Sequence, residues 1–258
     1  MSINRISNLS RSRPIKQFMC TKWLLFSASF LIWFCLVRTS DAQGHQEYPD
    51  PHRFNNAIQQ FEEGDRDSFP PAQGILVIGS SSIRGWHGHI HQDLPEFTII
   101  PRGFGGSHMN DVLYFADRIV IPYAPRAIVL YEGENDIAHG IPPEVVVDIF
   151  KTLIRKVHQA LPDTRIYVLS IKPSILRWDI WPEMRRANEL IREVCRQDEQ
   201  LIFVDVSSGM LGSDGTPRED IFVEDMLHMN RKGYEIWLDA LRPVLQAYEL
   251  PDPHIGAR

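Results

Sequence analysis

The chain is poor in cysteine, with Cys20, Cys35 and Cys195 the only three in 258 residues. Cys20 and Cys35 fall in an N-terminal segment patterned like an export signal. A processed chain keeps Cys195 alone, which excludes an intramolecular disulfide and leaves no second thiolate for a zinc site. Repeats, low-complexity tracts and an internal linker are missing too. The length, with 43% hydrophobic and 10% aromatic residues, therefore describes one globular α/β domain with a large core. Basic residues are scarce beyond the N-terminus: six of the 27 Lys/Arg and one of the 33 Asp/Glu lie in residues 1–42, so the remainder holds 21 basic against 32 acidic residues, a net charge of −11. Such a body disfavours nucleic acid, whose phosphates call for stripes of Lys and Arg.

In the N-terminal segment, Arg5, Arg11, Arg13, Lys16 and Lys22 precede an apolar run from Trp23 to Val37, and Thr39-Ser40-Asp41-Ala42 supplies small residues where a signal peptidase cuts. The pattern predicts a signal peptide over residues 1–42 and a periplasmic or secreted protein. At about 15 residues the run is short of the ~20 that a spanning helix needs. Arg38 directly after it leaves an uncleaved anchor as the alternative, so membrane contact is expected only through residues 1–42.

Residues 43–74 read as a polar arm with a short helix, because Phe54, Ala57, Ile58 and Phe61 recur at helical spacing; Gly64 and Pro70-Pro71 are expected to end it. Over residues 75–250, strand-like runs alternate with amphipathic stretches, the pattern of crossover units on a parallel sheet. Five strands are expected, at Ile75 to Ile78, Thr98 to Pro101, Ala127 to Tyr131, Arg165 to Ser170 and Leu201 to Asp205. Helices are expected at Asp111 to Ile119, Pro143 to Leu161, Trp181 to Arg196 and Arg231 to Tyr248. The fold class is α/β, a three-layer α/β/α sandwich on a five-stranded parallel sheet. Its order, 2-1-3-4-5, is taken from the commonest five-stranded doubly wound arrangement, in which the carboxyl ends of the first three strands meet at a crevice.

Chemistry-bearing residues follow those strand ends. Ser81 stands just past the first strand on a turn opened by Gly79, with Ser80 and Ser82 as rivals. Asp225 and His228 are three residues apart, so in a helical or tight-turn conformation the carboxylate reaches the ring nitrogen that faces away from a serine. Asn135 in Gly133-Glu134-Asn135-Asp136, with the backbone N–H groups of Ser81 and Gly106, supplies donors for an oxyanion. Singly each signal is weak, since a Ser run is commonly a turn or cap, Asn-Asp an ordinary turn and Gly103-Phe104-Gly105-Gly106 a flexible loop. Together they fill every role of nucleophilic acyl transfer.

Other residues carry less. His87, His89 and His91 would share a face of an extended segment, yet no carboxylate or cysteine spacing completes a metal site. Arg84 and Arg102 are read as structural ion pairs before contacts to an anionic substrate. Trp178 and Trp181 suit a pocket wall or core packing equally, and the spacing of His108 and His139 specifies no chemistry. Cys195 falls in the apolar stripe of its helix and is expected to be buried.

The four blocks Gly79-Ser80-Ser81-Ser82, Gly103-Phe104-Gly105-Gly106, Gly133-Glu134-Asn135-Asp136 and Asp225-Met226-Leu227-His228, in this order, resemble the SGNH hydrolase superfamily of GDSL-like lipases and esterases, in the branch of platelet-activating-factor acetylhydrolase. The likeness covers roughly residues 54–247. It implies a catalytic triad of Ser81, Asp225 and His228 and an oxyanion hole of Ser81, Gly106 and Asn135. It also implies no cofactor, no metal, and a small-molecule or glycan ester as the partner. Ser80 departs from the family's usual Asp. Glu134, where threonine is frequent, is expected to place an extra carboxylate beside Asn135 and to favour a neutral or cationic substrate. Hydrolysis of small acyl or O-acetyl esters is the activity implied; an O-acyltransferase and a non-catalytic carbohydrate-binding or envelope-associated module are the alternatives. Acyl chain length and oligomeric state are not specified.

Overall fold

The computed structural model describes residues 46–250; the expected signal over residues 1–42 lies outside them. Five short apolar runs form a wholly parallel sheet: β1 (Ile75–Gly79), β2 (Ile99–Gly103), β3 (Ala127–Tyr131), β4 (Arg165–Leu169) and β5 (Leu201–Val204), in the order β2-β1-β3-β4-β5. β1 pairs on both sides, with Val77 opposite Pro101 of β2 and Val129 of β3. The order and the strand positions are those expected.

Helices cover both faces, so the strands are mainly apolar instead of alternating with polar residues, the exceptions being Arg102 in β2 and Arg165 at the start of β4. Leu76, Ile78, Ile128, Leu130, Ile166 and Val168 point to one side. There they meet α1 (Asn55–Asp67), α4 (Met109–Ile119), α5 (Glu134–Ala138), α6 (Pro143–Ala160) and α7 (Trp181–Cys195). Ile75, Val77, Val129, Tyr131, Tyr167 and Leu169 point to the other, against α2 (Ser81–Trp86), α3 (Ile90–Asp93) and α8 (Arg231–Glu249). The result is the three-layer α/β/α sandwich.

Two helix boundaries depart from the expected ones by more than one residue. α1 runs through Gly64 to Asp67, and Ser68 N–H donates to the Gly64 carbonyl at 3.0 Å. A glycine inside a helix costs only about 1 kcal/mol, and Gly64 faces open space. α4 starts two residues before Asp111 because His108 and Asp111 form a capping box, with His108 N–H donating to Asp111 Oδ2 at 2.8 Å. Cys195 is buried, which pushes its thiol up to about 12, so it is a packing residue.

Candidate active site

β1 ends at a position open to glycine alone. Gly79 has φ +151°, and a Cβ there would lie 2.1 Å from the Tyr131 carbonyl oxygen of β3. The chain then turns sharply. Ser80 N–H donates to the Tyr131 carbonyl at 3.3 Å, and the Ser80 carbonyl accepts from Ile83 and Arg84 N–H, which starts α2 at Ser81. The Ser80 side chain caps no helical N–H, so the turn is made by backbone and does not need the family's usual carboxylate at this position. Ser80 and Ser82 are each 2% exposed, whereas Ser81 is half-buried at the surface of the crevice.

Ser81 Oγ lies 2.9 Å from Nε2 of His228. The other ring nitrogen, Nδ1, lies 2.5 Å from Asp225 Oδ2. A carboxylate there holds the proton on Nδ1 and leaves Nε2 free to accept from the serine hydroxyl. Both residues sit on a tight turn closed by an antiparallel bridge between Phe222 and Met229, with Val223 N–H donating to the His228 carbonyl at 2.8 Å. Asp225 shapes this turn as well as holding the ring, since its Oδ1 accepts from Leu227 N–H at 2.9 Å and His228 N–H at 2.8 Å. The bond to the His228 ring, followed by the backbone N–H groups, brings the Asp225 carboxyl down to about 2. Asn230 closes the turn by capping α8, accepting from Lys232 and Gly233 N–H while its amide donates to the Asp220 and Phe222 carbonyls.

The loop after β2 passes beside the serine. A Cβ on Gly103 would meet Arg84 N at 2.3 Å, and one on Gly105 would stand 3.8 Å from Ser81 Cβ. Gly106 is exposed, at φ +84°. Among the described residues, the N–H groups of Ser81 and Gly106 have no acceptor. The Asn135 amide is tied to the same loop, Nδ2 donating to the Ser107 carbonyl at 2.9 Å, so its second amide hydrogen remains for a ligand. All five residues expected at the site are thus gathered at the carboxyl ends of β1, β2 and β3 and on the turn before α8.

Four charged residues supporting this arrangement were not singled out by sequence reasoning. Glu132 is buried and accepts from Ser107 Oγ at 2.5 Å. Desolvation, with Asp136 and Asp111 nearby, pushes its carboxyl well above the usual range and favours the neutral acid. Asp136, also buried and raised chiefly by desolvation, accepts from Met109 N–H at the start of α4 and from Tyr48 Oη. Lys172, fully buried, donates to Glu134 Oε1 at 3.1 Å and to the Leu227 carbonyl at 2.7 Å. Arg177 donates to Asn135 Oδ1 at 3.0 Å and pairs with Glu134 at 3.3 Å. Glu132, directly after β3, and Lys172, shortly after β4, carry a sequence signal, a charge beside the end of an apolar strand where α/β sheets keep their ligands; Asp136 and Arg177 lie further along the chain and carry none.

Glu134 corrects an expectation. It is 4% exposed and faces Lys172, Arg177 and Tyr131, whose hydroxyl donates to it at 2.6 Å, so its carboxylate is neutralised inside the protein and not offered to substrate. The His87 to His91 segment is not extended, since it spans the end of α2 and the start of α3. His87 Nε2 accepts from Gly103 N–H at 2.9 Å, and burial brings its ring down to about 4. Arg102 forms a structural ion pair with Asp65, and its Nε donates to Tyr123 Oη at 2.7 Å. Arg84 is exposed, its guanidinium over Gly105, with no ion-pair partner among the described residues. His108 is engaged by Arg53 at 2.7 Å and packs against Tyr48 and His139. Trp181 is buried and Trp178 half-buried; their stacked rings wall an open cleft of about 540 Å³ that also takes in Asn188, Arg192 and Asp205.

Sheet and site together are those of an ester hydrolase built on a three-layer α/β/α sandwich. The chain belongs to the GDSL-like lipase/acylhydrolase family, whose model matches residues 47–236. It is 30% identical over 205 residues to platelet-activating factor acetylhydrolase IB subunit alpha1 of Bos taurus, covering 78% of this chain and 85% of that one. Among solved structures it resembles a GDSL-like lipase from Bacteroides thetaiotaomicron, with TM-score 0.63, 16% identity, and coverage of 74% of this chain and 97% of that one. An acetyl-xylooligosaccharide esterase from Geobacillus stearothermophilus gives TM-score 0.55 at 14% identity, covering 67% and 94%. At these identities the two structures speak to the fold alone.

Proposed function

We propose that the protein is an exported serine esterase that removes small acyl or O-acetyl groups through an acyl-enzyme on Ser81. The observation that carries the reading is the continuous line from Asp225 through His228 to Ser81, with bonds of 2.5 and 2.9 Å. His228 takes the Ser81 proton as Oγ attacks the ester carbonyl. Asp225 keeps the ring in the tautomer that can accept, and stabilises the imidazolium. The N–H groups of Ser81 and Gly106 and the free Asn135 amide hydrogen receive the negative charge of the tetrahedral intermediate. His228 returns its proton to the leaving alcohol, and water, activated by the same ring, releases the acid. The residues present provide nucleophile, base, orienter and donors, so the proposal needs neither cofactor nor added metal.

The naming of the bovine relative as an acetylhydrolase supports a small acyl group. The exposed setting of the triad, with Asp225 and His228 side chains 46% and 40% accessible, supports soluble or glycan esters reached from open solvent. Export rests on the N-terminal pattern of residues 1–42. The test is release of nitrophenolate from p-nitrophenyl acetate by the protein beside a folded Ser81→Ala variant, with one stoichiometric burst from diethyl p-nitrophenyl phosphate as a second readout. Turnover and burst that both vanish in the variant support the reading; turnover that survives it, or a wild-type protein silent to both probes, sinks it. Product analysis with a glycan acceptor then separates hydrolysis from acyl transfer.

A further inference from the structure

The Asn135 amide has only one orientation that satisfies its neighbours. Oδ1 faces the Arg177 guanidinium at 3.0 Å and Nδ2 faces the Ser107 carbonyl at 2.9 Å. Reversed, the amide nitrogen would meet a cation and the amide oxygen a carbonyl, so both bonds would become repulsions. Arg177 therefore selects which end of Asn135 is presented to the crevice. Its charge does more. A cation on the amide oxygen draws electron density away from Nδ2, which makes the remaining N–H a stronger donor, as linked hydrogen bonds polarise one another in low dielectric.

Arg177 is in turn held in place. Its Nη1 pairs with Glu134 at 3.3 Å, and the Oε1 of that carboxylate also accepts from buried Lys172 at 3.1 Å. Lys172 donates onward to the Leu227 carbonyl, one residue before His228. The line Asn135–Arg177–Glu134–Lys172–Leu227 thus joins the oxyanion donor to the turn that carries the base, without passing through the substrate. The backbone just before Arg177 is fixed as well, since Leu176 N–H donates to the Met226 carbonyl at 3.1 Å on that same turn.

We propose that Arg177 is a positioning residue of the oxyanion hole, acting through Asn135 to orient and polarise its free amide hydrogen. The proposal rests on the esterase reading above, with Asn135 as an oxyanion donor. A bare oxyanion asparagine relies on loop packing to keep its amide the right way round; here a cation held by a buried carboxylate does so. Arg177 keeps 20% of its side chain exposed, so truncating it does not empty a core position.

The test is a double-substitution cycle in the full chain, read as kcat/KM for p-nitrophenyl acetate and as the rate of Ser81 phosphorylation by diethyl p-nitrophenyl phosphate. Arg177→Ala is expected to lower both rates about tenfold, a modest share of what removal of a whole oxyanion donor costs. Asn135→Ala is expected to lower them further, and Arg177→Ala added to Asn135→Ala to change nothing more. Arg177→Lys, and guanidinium ion added to Arg177→Ala, are expected to restore part of the rate. Losses that multiply in the double variant would overturn the proposal, as would an Arg177→Ala defect confined to anionic esters, which would make Arg177 a substrate contact. In either case activity that still depends on Ser81 leaves the esterase reading standing. Activity indifferent to Ser81→Ala brings down both.

Discussion

Lys172 Nζ, without solvent access, lies 2.7 Å from the carbonyl oxygen of Leu227. The contact couples the end of β4 to the turn carrying Asp225 and His228. Burial works against the charged ammonium, and Glu134 offsets that cost. Replacing Lys172 by Met removes one charge of a buried pair and leaves Glu134 facing Arg177 alone. Breaking such a pair typically costs about 3–5 kcal/mol. Lys172→Met is therefore expected to lower the denaturant midpoint strongly and to reduce turnover at temperatures where the variant is still folded. Unchanged midpoint and rate would mean that the turn is held by its own backbone bonds.

The Asp225 carboxyl remains ionised until pH falls to about 2. Asp225 is therefore expected to add no step to the acid limb of kcat/KM above that pH. Being lowered from 3.8, Asp225 adds stability that is fully present above pH 3.8 and lost as pH falls toward 2. Asp225→Asn should cost about 10³–10⁴-fold in rate, because the wrong tautomer of the histidine is then favoured. A pH–rate profile of both proteins checks it, and a variant within tenfold of the parent would speak against the orienting role.

Glu132 has its folded value raised above 4.5 by burial. As pH climbs above 4.5 the unfolded chain releases this proton first, so the folded protein loses stability until the raised value is passed. Glu132→Gln keeps the shape of the neutral acid and removes the titration. The variant is expected to match the parent near pH 4, and to gain in relative melting temperature from pH 4.5 to 8, with activity within about twofold. Scanning calorimetry across that range reads the sign; a relative loss with rising pH would require an ionised Glu132.

Two glycines of the site separate folding from function. A methyl at Gly79 would strike the Tyr131 carbonyl at 2.1 Å, whereas one at Gly106 would meet nothing within 4 Å. Gly79→Ala is thus expected to give little soluble protein. Gly106→Ala should fold with a penalty of about 1–2 kcal/mol from its left-handed backbone while losing rate as its N–H shifts. Expression yield and circular dichroism of the pair distinguish these outcomes.

The sheet could be read from sequence because strands buried on both faces are short, continuous apolar runs; Ala127–Tyr131 was placed to the residue. The residues gathered at the candidate site were readable because each belongs to a compact motif at a strand end or in the last loop. Glu134 was misread for the same reason: its neighbour Asn135 is at the site, but its partners Lys172 and Arg177 come from the next strand end, 38 and 43 residues along. Side-chain pairings across strand ends leave no local spacing to detect. The start of α4 was displaced for a different reason: its cap is His108, outside the usual Ser, Thr, Asp and Asn, in a box with Asp111.

Serine and histidine stand 147 residues apart, near opposite ends of the described chain. During synthesis the nucleophile and its oxyanion loops emerge early, while the base arrives only with the clip before the last helix. A chain cut short of residue 225 would hold all five strands and the Ser81 alcohol, with neither Asp225 nor His228 to act on it. Hydrolytic competence is consequently the last property this polypeptide acquires, and the first that damage at its C-terminal end would silence.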